Sequence, residues 1–558
     1  MTKQNGKFSQ KTIQLGLDAF RKQDFENAYL VLSTQDHPVA LNAAGVSAQR
    51  LSRFDDASNC FERASTLAPK DANVLNNWGH FELERGEILS ARDKFQAALS
   101  FSPDLTAARI GLAKTLMAEE EWGQAKIAWS DILAATPNSR VAFYGLATCF
   151  LELGDTHQAI EGFEKLISAG RQPEIAFMLG RALLELGEFG KAEPELLFAH
   201  ASTPSEYTLR TLASLYWMTD RREKFDQLLS ASPNELIAER IKLLLEADLV
   251  PDADATWRES SALLSQSSNG QVLRSLIAQK LDQIPLAQDA ARKAISLDQG
   301  NDAAWDALII SELMSGNAQR VFEMVTPLRK SRPVAQNWIA YSADAERLLD
   351  RDLENPLACK SPWIQAHQIP VPNGYKTLSD FNAAFSEYLL AQHKLERRPL
   401  EQSLRGGTQT TRSLLADKSE IVRAYIEALD KPIQDYLFSI GTSNDHPTSA
   451  RNRGEYSFSG MWSVRLLEQG YHESHIHPEG WISSAYYIKV PDFGADSKAG
   501  WIYFGKPPYQ TSPSLEPLKW IKPEAGRLVL FPSFMWHGTV PIEGPVERIT
   551  APFDLMPG

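Results

Sequence analysis

Three histidines, His472, His475 and His477, lie within six residues of one another. Residues two apart in a β-strand point to the same face of the sheet, so His475 and His477 can face one metal ion together. His537 is the only other histidine in this part of the chain, and it follows a predicted strand. Two ligands from one strand and a third from another leave neighbouring coordination positions open to small ligands. This pattern is typical of non-haem iron oxygenases.

A candidate anion-binding pair follows His537 by eleven positions. Arg548 and Thr550 are two residues apart, so a strand places both side chains on one face. A guanidinium forms a bidentate ion pair with a carboxylate, and a hydroxyl adds a hydrogen bond. The pair therefore predicts a carboxylate-binding site near the histidines.

Short strands must position these side chains. From about Tyr456 onward, apolar and aromatic runs bounded by Gly and Pro predict strands over 461–466, 482–490, 501–504, 527–531 and 547–553. Several short strands with turns between them are typical of a sandwich or a jelly-roll barrel. Two helices are predicted ahead of the strands, over 378–392 and 415–437, with a polar loop at 406–411 between them.

Residues 457–555 resemble the 2-oxoglutarate/iron(II) oxygenase superfamily, and look most like its prolyl-hydroxylase-like branch. With the preceding helices, the resemblance covers about a third of the chain, from about residue 375. The matching pieces are His475-Ile-His477-Pro, Ser484-Ala-Tyr486-Tyr487-Ile, Gly526-Arg-Leu-Val-Leu-Phe531-Pro532, His537 and Arg548-Ile-Thr550.

This resemblance implies a double-stranded β-helix, or jelly roll, with flanking helices. It also implies Fe(II) as the metal, with 2-oxoglutarate and O2 as co-substrates. His475 and His537 would be iron ligands. Arg548 would bind the distal carboxylate of 2-oxoglutarate, with Thr550 assisting and Tyr487 supplying a further hydroxyl.

The second position of the metal motif departs from the superfamily, which usually has Asp or Glu where this chain has His477. Three arrangements stay open. His477 is the third ligand, or water fills that position, or Glu473 or Glu479 substitutes, since both share the strand parity of His475. His472 has the opposite parity, and we expect it beside the metal site or at the surface.

The N-terminal part of the chain repeats with a period of 34 residues. The matching positions are Pro69, Pro103 and Pro137; Phe61, Phe95, Trp129 and Phe163; and Ala57, Ala91, Ala125 and Ala159. Small residues let two helices approach, the aromatic residue fills the space between neighbouring units, and proline ends the second helix. The pattern resembles the tetratricopeptide repeat, whose units stack into an α-solenoid.

The predicted organisation is therefore multidomain. An all-α repeat solenoid occupies 1–350, with clear repeats over about 36–220 and degenerate ones to 350. A proline-rich linker follows at 351–374. The oxygenase domain occupies 375–558.

The composition indicates the cellular location that we expect and the classes of partner that are disfavoured. A net charge of −13 disfavours binding to nucleic acids and anionic membranes. No run of 18 apolar residues predicts a transmembrane helix, and the polar N-terminus is unlike a secretory signal. Three widely separated cysteines form neither a zinc motif nor a disulfide framework, so we expect a reducing cytoplasm.

These observations predict a 2-oxoglutarate- and Fe(II)-dependent dioxygenase that hydroxylates a protein or peptide side chain held in the repeat groove. One alternative is a non-catalytic repeat scaffold with a degenerate metal-binding barrel. Another is a small-molecule hydroxylase whose repeats serve only assembly. A third is a cupin-like metal enzyme without 2-oxoglutarate, but such an enzyme has no need of an anchor at Arg548.

Overall fold

A computed structural model of the chain describes residues 2–350, 362–494 and 497–558. The chain divides between Ala182 and Leu183 into two compact units. The second unit therefore contains the later helices together with all the β-strands. Residues 351–361 of the predicted linker, including Cys359, lie outside the described residues. The domain boundaries predicted at 350 and 375 stay predictions.

The first unit is helical. Its helices are α1 Thr2–Arg21, α2 Phe25–Leu32, α3 Pro38–Arg50, α4 Phe54–Leu67, α5 Ala72–Glu84, α6 Ile88–Phe101, α7 Thr106–Ala118, α8 Trp122–Ala135, α9 Arg140–Glu152 and α10 Thr156–Ser168. Helix α11, Pro173–Glu185, spans the division between the units. From α1 to α10, helices that follow one another pack together in pairs, which confirms the predicted helical repeats.

The aromatic residue of each repeat occupies the space that glycine leaves open. Phe95 is fully buried, and a Cβ atom added to Gly79 of its own repeat would lie 2.8 Å from its ring. A Cβ atom added to Gly111 of the next repeat would approach the same ring more closely still. A larger side chain at either position would push the helices apart, because protein interiors are close-packed.

Helices continue into the second unit as far as Leu348. They are α12 Phe189–Ser202, α13 Glu206–Met218, α14 Arg222–Ala231, α15 Ile237–Glu246, α16 Val250–Glu259, α17 Ser261–Leu264, α18 Ser268–Lys280, α19 Ile284–Leu297, α20 Asp302–Met314, α21 Ala318–Ser331 and α22 Gln336–Leu348. Among the described helices, none combines the length and the apolar composition that crossing a membrane requires.

The C-terminal region is rich in strands. Its helices are α23 Leu378–Leu390, α24 Glu420–Ile440 and α25 Pro447–Ala450. Its strands are β1 Gln365–Gln368, β2 Leu404–Gln409, β3 Tyr456–Met461, β4 Val464–His472, β5 Ile482–Lys489, β6 Ile502–Phe504, β7 Lys519–Ile521, β8 Arg527–Pro532, β9 His537–Thr539, β10 Arg548–Thr550 and β11 Phe553–Pro557.

Three details of the predicted elements are wrong. The strand predicted over 461–466 is divided between β3 and β4, and the strand predicted over 547–553 is divided between β10 and β11. Pro552 lies at the second break, where its missing N–H prevents continuous pairing. Most of the loop predicted at 406–411 belongs to β2, which pairs with β4 across an irregular register near Gly406. Glycine in a strand marks such a bulge or a close backbone approach.

The strands form two antiparallel sheets. The larger has eight strands, with the path β1-β8-β5-β10-β4-β2, and β11 joins it by pairing with β5 and with β3. The smaller has the order β7-β6-β9. Helix α24 lies against the larger sheet, where the Tyr425 hydroxyl donates a 2.6 Å hydrogen bond to the carbonyl of Ala551. This anchors the turn between β10 and β11, the strands that contribute Arg548 and Asp554.

Candidate metal centre

His475 and His537 face each other across two chain segments. Strand β4 ends at His472, so His475 and His477 follow the strand instead of lying in it. The prediction of a continuous strand there is wrong. An isolated backbone pair takes its place, because the N–H groups of His475 and His537 each donate to the other's carbonyl at 3.0 Å. His537 also begins β9, so this pair connects the histidine segment to the smaller sheet.

The three predicted ligands converge. Nε2 of His475 lies 3.2 Å from Nε2 of His477. One ring nitrogen from each of His475, His477 and His537 lies within 4.8 Å of the others, as in a site that can hold a metal ion. Trp462 lies roughly parallel to the ring of His477, with ring centroids 6.1 Å apart. The proximity inferred from strand parity is therefore present, although the strand itself is not.

The Nδ1 atom of each ring is hydrogen-bonded to an oxygen atom. The Nδ1 partners are the carbonyl of Glu473 at 2.8 Å for His475, Asp554 Oδ2 at 2.6 Å for His477, and the carbonyl of Met535 at 3.0 Å for His537. Carbonyl and carboxylate oxygens accept hydrogen bonds, so each Nδ1 acts as the donor and carries a proton. A metal-binding imidazole uses its other nitrogen, so this arrangement leaves Nε2 of each ring as the atom that can bind a cation.

Burial favours the uncharged form of two of these rings, His475 and His537. It lowers the pKa of His475 to about 3, and the nearby His477 ring adds to the effect. Burial also lowers the pKa of His537 well below its ordinary value, with His475 and His477 contributing. A metal binds the neutral form of imidazole, so little proton release is needed at neutral pH.

Asp554 was missed in the sequence interpretation. It lies on β11, where its neighbours across the sheet are Gly460 and Ser483. Its Oδ2 accepts from His477, and its Oδ1 is buried without a hydrogen-bond partner. The strand predicted over 547–553 ends before Asp554, so strand parity gave no signal for this residue.

The other candidates near the histidines have different surroundings. Glu473 forms an ion pair with Arg405 at 2.7 Å, and so its carboxylate is already engaged. Glu479 lines the cavity in front of the histidines and is exposed. His472 also lines this cavity, and its Nδ1 lies 3.1 Å from the Ser403 hydroxyl.

One wall of the cavity comes from the segment 394–405. Ser403 on this segment has its hydroxyl 3.3 Å from Nε2 of His475, and it was also missed in the sequence interpretation. Buried Arg398 fastens the segment to the helical part of the second unit. It donates to the carbonyl of Glu246 at 2.7 Å and to the carboxylate of Asp248 at 2.8 Å. Helical residues of this unit therefore help to shape the cavity.

The predicted anion-binding residues line the same cavity, whose volume is about 610 Å³. Arg548 is only 2% exposed, Thr550 is buried beside it on β10, and Tyr487 lies opposite Thr550 on β5. The Arg548 guanidinium donates to the carbonyl of Gly500 at 2.7 Å, but its Nε has no partner. No ion pair with a carboxylate is found for Arg548 among the described residues. A buried cation without a counter-charge is costly, so this arrangement suits an anionic ligand.

Two known protein families match parts of this chain. Residues 460–554 match the family described as "Putative 2OG-Fe(II) oxygenase", and residues 42–106 and 144–207 match the tetratricopeptide repeat. The chain therefore contains tetratricopeptide repeats and a C-terminal segment of that oxygenase family. All six predicted site residues, His475, His477, His537, Arg548, Thr550 and Tyr487, fall inside the matched segment.

Individual relatives are more distant. Cellulose synthase operon protein C of Pseudomonas fluorescens (strain SBW25) is 24% identical over 256 residues, which cover 42% of this chain and 20% of the relative. The chain thus spans about a fifth of the length of this curated relative.

Two solved structures are similar to parts of this chain. The pilF protein of Pseudomonas aeruginosa is 19% identical and has a TM-score of 0.32, covering 36% of this chain and 94% of its own. A tetratricopeptide repeat protein from Parabacteroides merdae is 15% identical and has a TM-score of 0.31, covering 54% of this chain and 98% of its own.

Proposed function

We propose that this protein is an Fe(II)- and 2-oxoglutarate-dependent dioxygenase that hydroxylates a protein or peptide side chain. In this proposal the two sheets form a double-stranded β-helix around the cavity. The observation that carries it is the pairing of two features in one cavity. Three imidazole nitrogens converge at one end, and a buried guanidinium without a carboxylate partner among the described residues lies in the same space.

The residues present fit both the metal ion and 2-oxoglutarate. His475, His477 and His537 would hold Fe(II) through Nε2, which leaves the remaining coordination positions open to small ligands. Arg548 would bind the distal carboxylate of 2-oxoglutarate, with hydroxyl groups from Thr550 and Tyr487. When bound, the iron and the keto acid supply the oxidation of a substrate C–H bond by O2.

Other residues of the chain prepare the site for that chemistry. The carbonyls of Glu473 and Met535 hold the Nδ1 protons of two ligands and so fix their ring orientation. Buried Tyr487 and the backbone of Gly500 hold the guanidinium in place before the anion arrives. Arg548 and His537 are themselves buried, which strengthens the electrostatic contacts that they make.

The first test is spectroscopic. The full chain, purified without oxygen, is mixed with Fe(II) and 2-oxoglutarate, and the weak visible band of a metal-chelated keto acid is measured. We expect the band in the natural protein, its loss in His537→Ala, and its loss at low 2-oxoglutarate concentration in Arg548→Ala. A natural protein that binds Fe(II) without giving this band would refute the use of 2-oxoglutarate. A band without succinate formation under O2 would favour the non-catalytic scaffold.

The second part of the proposal concerns the substrate. Tetratricopeptide repeats generally bind proteins or peptides, and a solenoid offers a groove for them. We infer that the repeats hold the polypeptide whose side chain is modified at the cavity. A cytoplasmic location, with no nucleic-acid or membrane partner, remains part of this proposal.

A truncation separates substrate recruitment from chemistry. Removal of residues 1–172 leaves α11 whole and leaves the second unit complete, whereas removal of 1–350 would delete helices that belong to that unit. The full chain and the truncated chain are incubated with a peptide pool, and hydroxylated peptides are counted by mass spectrometry. We expect fewer modified peptides from the truncated chain but the same substrate-independent succinate formation. Equal peptide modification by both chains would refute recruitment by the first unit.

A further inference from the structure

The proposed centre contains three neutral ligands but only one carboxylate in contact with them. Asp554 is the carboxylate that the described residues place against one of the three imidazoles. The superfamily usually has its acidic ligand at the position of His477, whereas Asp554 lies on a different segment, strand β11. The chain therefore keeps a negative charge at the centre, but moves it one hydrogen bond away from the ligand nitrogen.

The contact between Asp554 and His477 is short and well anchored. The Oδ2–Nδ1 distance is 2.6 Å, shorter than the 2.8 and 3.0 Å bonds that the other two rings make with backbone carbonyls. The neighbours of Asp554 on β11, Phe553 and Leu555, are fully buried. The register between β11 and β3 shifts directly after Asp554. Such a bulge redirects a side chain, and here the side chain reaches the metal site.

The second carboxylate oxygen of Asp554, Oδ1, also indicates a positive charge nearby. Its Oδ1 is buried and has no hydrogen-bond partner. A buried carboxylate with an unpaired oxygen is destabilising unless a nearby positive charge offsets it. A divalent cation held by Nε2 of His477 would supply that charge through the imidazole ring.

The charges of the assembled centre balance when Asp554 is included. The metal brings two positive charges and Arg548 brings one, whereas 2-oxoglutarate brings two negative charges. One more negative charge makes the centre neutral, and Asp554 supplies it. Unbalanced charge in a low-dielectric cavity is costly, so this balance favours simultaneous binding of metal and co-substrate.

We propose that Asp554 is the positioning carboxylate of this centre and acts on the metal through His477. This inference rests on the proposed function. Asp554 holds the Nδ1 proton of His477, fixes the ring with Nε2 toward the metal, and makes that nitrogen a stronger donor. Outer carboxylates of this kind typically change metal affinity by about 10- to 100-fold.

Metal affinity is the readout, measured with the full chain by titration with Co(II) followed by visible absorption. We expect Asp554→Asn, which keeps the size but removes the charge, to bind Co(II) about 10- to 100-fold more weakly. The matched control is Asp435→Asn, which makes the same change at an exposed residue of α24 that does not line this cavity. We expect this exposed, solvent-screened charge to change the affinity by no more than about twofold.

A double-mutant cycle tests the route of the effect. If Asp554 acts through His477, then Asp554→Asn should add almost nothing in a His477→Ala background. Equal weakening in both backgrounds would refute the proposal, as would unchanged affinity in the single variant. X-ray absorption of the Co(II) protein adds a third readout. Loss of an oxygen ligand in Asp554→Asn would make Asp554 a direct ligand and would also overturn the inference.

The experiment distinguishes a failure of the proposed function from a failure of the role proposed for Asp554. If Asp554→Asn is insoluble, the smaller polar variant Asp554→Ser replaces it in the same comparison with Asp435→Asn. A natural protein that binds no Co(II) or Fe(II) would refute the proposed function itself. A natural protein that binds metal, with variants that bind equally well, would refute only the role of Asp554.

Discussion

Replacement of Arg548 by methionine should have opposite effects on the free and the ligand-bound protein. The side chain is 2% exposed, its Nε has no partner, and the carbonyl of Gly500 is its one hydrogen-bond acceptor among the described residues. Burial lowers the pKa of this guanidinium, which reflects the cost of keeping its charge away from water. Methionine has a similar length and no charge, so Arg548→Met removes that cost.

The expected magnitudes follow from this environment. Apolar replacement of buried ion pairs is often neutral or stabilises proteins by about 1–4 kcal/mol. Arg548 has no counter-charge among the described residues, so we expect the free energy of unfolding without ligand to rise by an amount in that range. The natural protein gains about 2.7 kcal/mol when 2-oxoglutarate is present at a hundred times its Kd. Loss of one partner of a buried charge pair costs at least about 2 kcal/mol, so the variant should bind 2-oxoglutarate about 30-fold more weakly or worse.

Thermal unfolding measured without oxygen, with Mn(II) in place of iron, tests both effects. Without 2-oxoglutarate, Arg548→Met should unfold at a higher temperature than the natural protein. Added 2-oxoglutarate should raise the Tm of the natural protein and raise that of the variant by no more than about a third as much. The control is Arg527→Met, which removes a partly exposed arginine paired with Glu524 on the same sheet. A less stable Arg548→Met in the absence of ligand, or an equal response to 2-oxoglutarate, would refute the reasoning.

Three other outcomes are expected. Gly145→Ala should destabilise the first unit by about 1–3 kcal/mol, because the new Cβ would overlap the indole of Trp129. Burial lowers the pKa of His446 to about 3, so the unfolded chain takes up a proton that the folded chain does not. The contribution of His446 to the free energy of unfolding is complete above the ordinary pKa near 6.5 and is lost as the pH falls toward 3. Between pH 7 and pH 5 the free energy of unfolding should fall by up to about 2 kcal/mol for this reason. The variant His446→Asn should reduce that fall. Arg398→Ala should destabilise the second unit by about 2–3 kcal/mol and weaken metal binding, because the cavity wall is then released from Asp248.

Each of these outcomes has a measurement and a control. Chemical denaturation gives the free energies, and Gly123→Ala, where nothing lies within 4 Å of the added Cβ, should be close to neutral. Arg397→Ala breaks an exposed ion pair with Asp220 and should cost less than about 1 kcal/mol. Equal losses for Arg397 and Arg398 would argue against the wall as the cause. An unchanged pH dependence in His446→Asn would mean that other groups produce it.

The repeats could be predicted because their signals are local. Each repeat needs a small residue opposite an aromatic one, as between Gly79 and Phe95, and the 34-residue phase reports that contact directly. Nearest-neighbour packing between consecutive helices leaves a regular trace in the sequence. The C-terminal strands were found less accurately, since short apolar runs do not reveal where pairing stops, and two of them proved to be divided.

In the candidate site, too, individual residues could be predicted from the sequence, but contacts between distant segments could not. Residue types, their spacing and the family resemblance predicted His475, His477, His537 and Arg548, because few side chains can bind a metal or a carboxylate. The sequence did not reveal that Asp554 contacts His477, 77 residues away, or that Ser403 contacts His475 from 72 residues away.

The amino-acid sequence by itself determined the helical repeat phase and the chemical nature of the candidate ligands. Only the tertiary structure decided which carboxylate touches them and which segment closes the cavity. Local packing is encoded by residue spacing, whereas contacts between distant segments depend on the register of paired strands and on where a bulge redirects a side chain. Asp554 reaches the histidines because β11 shifts its register against β3 directly after this residue.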